Sequence, residues 1–65
     1  MNIRTQFIEA KMAEQGLTKK ALAANCGIFA QNISTVIRRG TCEPKTAGKL
    51  AAGLGVPVET LIKEG

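Results

Sequence analysis

Residues 21–40, ALAANCGIFAQNISTVIRRG, carry a helical pattern that stops at Gly27 and restarts within three residues. That interruption constrains the fold more than any other feature. A chain that reverses so sharply needs one residue at ease with positive φ, and glycine meets the need without steric cost. The segment therefore reads as two helices joined at a tight corner. Ala23 lies one turn before the glycine, on the face that meets the following helix, where a larger side chain would push the two axes apart.

The flanking patterns complete a helical chain. A first helix is predicted to start after Asn2, whose side chain can cap it, and to run through IRTQFIEAKMAEQ to Gly16, offering Phe7, Ile8 and Met12 to the core. Leu17 and Thr18 then supply an apolar staple and an N-cap for a second helix, KKALAANC, with Leu22, Ala23 and Cys26 inward. Beyond the corner, at about 100° per residue, Ile33, Val36 and Ile37 fall together, with Phe29 and Ala30 one turn before them, and Phe29 is expected to seal the corner. A fourth helix is predicted from Pro44 to the stop at Gly55, with Ala47, Leu50, Ala51 and Leu54 inward. Gly48 and Gly53 inside it each cost about 1 kcal/mol relative to alanine, so close packing against another helix is the expected compensation. Pro57 opens a predicted last helix, VETLIKE, with Val58, Leu61 and Ile62 apolar. At 65 residues the chain is one domain that removes only about 60% of its unfolded surface from water, which calls for a compact, all-α core.

The side chains that chemistry needs are scarce. There is no histidine, no aspartate, one serine (Ser34) and two cysteines, which argues against an enzyme, a metal site or a cofactor. Cys26 and Cys42 lack metal spacing, and no basic-then-apolar leader or long apolar run is present, so a reducing cytoplasm and no membrane association are expected. Cys26, inside an apolar helical pattern, reads as a buried free thiol and Cys42 as an exposed loop residue. No small-molecule ligand is inferred.

Charge is more telling once it is divided along the chain. The net charge is +4, yet residues 1–17 balance Arg4 and Lys11 against Glu9 and Glu14, and residues 56–65 set Lys63 against Glu59 and Glu64. The excess sits between them, where Lys19, Lys20, Arg38, Arg39, Lys45 and Lys49 face Glu43 alone. Such a distribution suggests a polyanionic partner. The outward arc of the third helix carries Gln31, Thr35 and Arg38, flanked by Asn32, Ser34 and Arg39. A merely solvated helix face would more typically pair Glu with Lys at i, i+4, but acids are absent from residue 15 to residue 42. Amides and hydroxyls can match donor and acceptor patterns on base edges, while guanidinium groups neutralise phosphates.

The spacing of Ala23, Gly27, Ile33 and Val36, with Leu22, Cys26 and Ile28 apolar, resembles the helix-turn-helix of the lambda repressor/Cro family, often called XRE-type. The likeness runs over residues 17–62, and RRGTCEPKTAG is similar to the loop and fourth helix of short phage or mobile-element regulators. The resemblance implies a compact five-helix bundle whose third helix, about residues 30–38, enters the major groove of double-stranded DNA. It implies base contacts from Ala30, Gln31 and Thr35, and phosphate contacts from Thr18, Lys19, Asn32, Arg38, Arg39 and Lys45. One departure concerns Phe29, which stands where the family usually has a serine or threonine cap.

Three function classes follow. The favoured one is a sequence-specific transcriptional regulator, a repressor, acting as a homodimer through the C-terminal helix so that two recognition helices lie about one DNA turn apart. The others are a protein-interaction module of antitoxin or anti-repressor type on the same bundle, and a structural, non-specific DNA binder.

Overall fold

The computed structural model describes residues 1–64. Among them are four α-helices, α1 (Thr5–Gln15), α2 (Lys19–Cys26), α3 (Ala30–Arg39) and α4 (Pro44–Leu54), followed by one 3-10 turn at Val58–Thr60. No helix is long and apolar enough to cross a membrane.

The interior helix boundaries agree with the pattern reading. Thr18 caps α2 by accepting the Ala21 N–H at 3.1 Å, and Leu17 packs on the core beside it. Gly27 adopts the left-handed conformation, φ 73°, and the Ile28 N–H reaches back to the Ala23 carbonyl at 3.1 Å, which closes the corner into α3. α2 packs against both α3 and α4, and the core they enclose contains Ile8, Met12, Leu22, Ala23, Cys26, Ile33, Val36, Ala47, Leu50, Ala51 and Leu54. Gln15 joins the far end of α1 to α4 by donating its side-chain amide to the Leu54 carbonyl at 2.8 Å.

The two glycines inside α4 behave differently. Gly53 faces α2 so closely that a β-carbon there would collide with Cys26 Sγ and lie 3.2 Å from the Cys26 backbone nitrogen. Gly48, expected to share that role, is exposed with nothing within 4 Å of where a β-carbon would stand, so packing does not compensate it. Cys26 is a free thiol in this contact, and burial pushes its pKa up, which keeps it neutral among apolar neighbours.

Both ends of the chain depart from the expected helices. α1 begins at Thr5 rather than Ile3, its N-cap is Arg4, and no side chain caps it. Residues 1–4 are instead extended and bonded on two sides. On one side Ile3 N–H donates to the Gly40 carbonyl at 2.9 Å and Cys42 N–H to the Met1 carbonyl at 3.1 Å; on the other, Arg4 N–H meets Leu61 O at 2.8 Å and Lys63 N–H meets Asn2 O at 2.9 Å. Asn2 bridges Thr41 and Ile3 bridges Ile62, both antiparallel. The Ile3 N–H and the Asn2 carbonyl are thus bonded across the fold instead of along a helix, and Ile3 is 3% exposed. The expected fifth helix is a 3-10 turn for the same reason. After Thr60 the chain runs to this strap, with Leu61 fully buried and Ile62 packed on the core edge. A C-terminal helix with an exposed apolar edge does not form; Val58, at 41%, is what remains exposed of that edge.

Two predictions follow from the packing. Ile3→Ala should lower unfolding free energy by about 2–5 kcal/mol, the usual range for truncating a buried isoleucine, as read by urea denaturation. In α4, Gly48→Ala should stabilise by about 1 kcal/mol and Gly53→Ala should destabilise, because only the second added methyl meets an occupied space; equal melting shifts for the two would contradict this account of the α2–α4 contact.

Candidate nucleic-acid interface

α3 buries Ile33 and Val36, half-buries Ile37, and turns Gln31, Asn32, Arg38 and Arg39 fully to solvent. Both of its ends are closed by backbone bonds. The first turn closes on the Phe29 carbonyl, which accepts the Asn32 N–H at 2.9 Å, and the last turn closes when the Gly40 N–H bonds the Val36 carbonyl at 2.7 Å. The sequence allows this because the inward positions are β-branched or aliphatic while the outward ones are short and polar.

Thr35 is half-buried, and its hydroxyl donates to the Gln31 carbonyl at 2.9 Å. Its donor is therefore used within the helix, leaving an acceptor lone pair and a methyl group for a ligand. Gln31 is exposed and its side-chain amide keeps both donor and acceptor capacity. Ala30 is half-buried and packs on the core, so only part of its methyl group faces outward.

Asn32, Thr35 and Arg39 line one side of an open cleft of about 590 Å³ between α3 and the start of α4. Thr41, Glu43 and Thr46 also line it. Met1 stands at its rim, where its ammonium group donates to the Cys42 carbonyl at 3.1 Å. The terminal strap brings Met1 and Thr41 to this place, which local pattern does not show, while Thr46 comes from the first turn of α4. A larger open cleft of about 800 Å³ lies between the first turn of α1 and residues 59–64 and holds none of the predicted site residues.

The predicted backbone-binding residues lie at helix ends. Thr18 and Lys19 are exposed at the start of α2, Arg38 and Arg39 at the end of α3, and Lys45 in the first turn of α4. Among the described residues the ion pair formed is Lys11–Glu14 at 3.4 Å, on α1, so these cations have no carboxylate partner within bonding reach. Thr18 accepts the capping bond and still has its own O–H to donate.

Two expectations are corrected here. Phe29 neither joins the buried stripe nor seals the corner: it is 78% exposed. As the N-cap of α3 it has φ −79° and ψ 145°, an extended conformation, so helical angular spacing does not apply to its side chain. It also gives α3 no capping bond, a loss of about 0.5–2 kcal/mol compared with serine or threonine. Cys42, expected to be exposed, is half-buried against the core edge, and burial pushes its thiol pKa up, with the N-terminal ammonium opposing and Glu43 adding to the rise. A neutral thiol is a poor nucleophile. Among the described residues no group of three His, Cys, Asp or Glu stands together as a metal site.

Comparison with known proteins gives no match: no family model, no curated protein and no solved structure is similar to this chain at a meaningful level.

Because Thr18 caps α2, Thr18→Ala should cost about 0.5–2 kcal/mol of stability while Thr18→Ser should be nearly neutral, compared at their urea midpoints.

Proposed function

We propose that this chain is a sequence-specific double-stranded DNA-binding protein, a transcriptional repressor, with α3 as the element that enters the major groove. The observation that carries the reading is the outer face of α3. It presents neutral hydrogen-bonding groups, Gln31 and Asn32 exposed and Thr35 half-exposed, with Arg38 and Arg39 exposed in its last turn, while Lys19 and Lys45 are exposed in the first turns of α2 and α4. Neutral polar groups at the centre suit base edges, and cations at the margins suit two phosphate backbones. The likeness of the α2–α3 corner to the lambda repressor/Cro helix-turn-helix supports the same reading. Gln31 is proposed to read an adenine through its amide, Thr35 a base edge or methyl group, and Ala30 a thymine methyl. Thr18, Lys19, Asn32, Arg38, Arg39 and Lys45 hold the backbone.

A homodimer remains part of the proposal, since one recognition helix covers few base pairs and two protomers about 34 Å apart would read a symmetric site. Its contact surface has to be other than a C-terminal helix.

Phe29 favours a second reading. An exposed aromatic ring is the type of anchor that protein interfaces use, so a protein-interaction module of antitoxin or anti-repressor type is the alternative.

Selection of bound duplexes from a random pool tests the function, and a two-fold symmetric preferred sequence is expected. On that duplex Gln31→Ala should weaken binding by about 1–3 kcal/mol with little change on random DNA. Lys19→Ala or Arg39→Ala should weaken all sequences alike and reduce the salt slope by about one. Equal losses for Gln31→Ala on both kinds of DNA would remove its base-reading role.

A further inference from the structure

We infer that Phe29 is a specificity-determining residue of the α3 face, its ring packing against the C5 methyl group of a thymine next to the base that Gln31 reads. The inference rests on the DNA-binding reading above and adds a residue that the helical pattern assigned to the core.

Phe29 is the most exposed of the large apolar side chains, at 78%, compared with 49% for Met1 and 41% for Val58. Scattered exposed apolar residues are common, so exposure alone argues nothing. Its position does. Phe29 is the N-cap of α3, two residues before the exposed pair Gln31 and Asn32, at the end of the helix that the proposed function directs to base edges. There it contributes no capping bond, whereas the corresponding residue of α2, Thr18, does. The local fold gains little from a phenylalanine at this site, and a role outside the chain accounts for it better.

The surroundings decide between partners. A protein interface depletes charge at its centre and clusters its anchors. Phe29 has half-buried Ile28 and Ala30 as chain neighbours, and the nearest charged residues along the sequence are cations, Lys20 on one side and Arg38 on the other. A lone ring in a cationic, acid-free segment fits a polyanion that carries an apolar spot. In the major groove of DNA that spot is the thymine methyl, which apolar side chains contact.

The test uses the preferred duplex from the random pool, with each thymine replaced in turn by deoxyuridine, a change that removes only the methyl group. Wild-type protein should lose affinity roughly three- to tenfold at the thymine that Phe29 contacts, the scale of one buried methyl group. That position is told apart from any thymine read by Ala30 or Thr35 because only there does the loss vanish in Phe29→Ala. Phe29→Ala should bind the thymine duplex more weakly by a similar factor, show no thymine-over-uracil preference at that position, and bind random DNA as the parent does. Circular dichroism melting of the variant establishes that it folds, and Phe29→Leu, which keeps an apolar side chain, should retain part of the preference. A Phe29→Ala protein that keeps the preference, or that loses affinity equally for thymine and uracil duplexes, overturns the inference. So does one that binds every duplex like the parent, an outcome that leaves the ring to a protein partner. Gln31→Ala behaving as a base reader in the same assay separates failure of this inference from failure of the DNA-binding reading, whereas a pool with no preferred duplex overturns both.

Discussion

The close passage of α2 over α4 sets the geometry of everything else. Cys26 meets Gly53 where a β-carbon would not fit, and Ala23, Ala47 and Ala51 are buried in the core that α2 and α4 share. A chain of 65 residues has little interior to share out, and small side chains at the crossing let three helices reach one core. With α2 seated, the corner at Gly27 leaves α3 with its Ile33–Val36 side inward. The polar face of α3 is outward because its other face has no alternative place to go. The neutral thiol of Cys26 suits this position, since an ionised group there would have to be desolvated without a partner.

Charge follows the same division. Glu9 and Glu14 lie on α1, and Glu59 and Glu64 lie in the C-terminal turn and tail, while α2 and α3 carry no acid. Like charges that outnumber their opposite on a small molecule repel one another and lower its stability. The stability of the fold therefore comes from apolar burial and backbone bonding, not from ion pairs, and an anionic ligand would relieve the repulsion as it binds. The missing cap at Phe29 adds a local deficit in the same region.

Much of this was legible in the chain itself. The ends of α2, the break at Gly27, the inward set of α4 and the placement of Gln31, Arg38 and Arg39 all follow from local rules of capping and periodicity. What escaped that reading depends on contacts between distant residues. Ile3 and Ile62 resemble helix residues until each is seen as the other's extended neighbour. Gly48 and Gly53 look alike in sequence, and only the course of α2 over the helix distinguishes them. Phe29 was misplaced for a different reason: an N-cap residue is not yet helical, so its side chain leaves the arc that angular spacing assigns to it. The cleft beside Thr35 combines these cases, because a local pattern supplies one wall and the terminal strap helps to position the other.

The strap also governs how the molecule can come together. Each helix can begin to form from neighbours within a few residues, but the bonds that finish the structure join Asn2 to Lys63 and Arg4 to Leu61. As this sequence emerges during synthesis, its opening residues must wait for residues 61–63 before they have that partner. Closing so long a loop has an entropic cost that grows only slowly with its length, and the strap's bonds to Gly40 and Cys42 tie the cleft wall beside α3 to the most distant pairing in the chain.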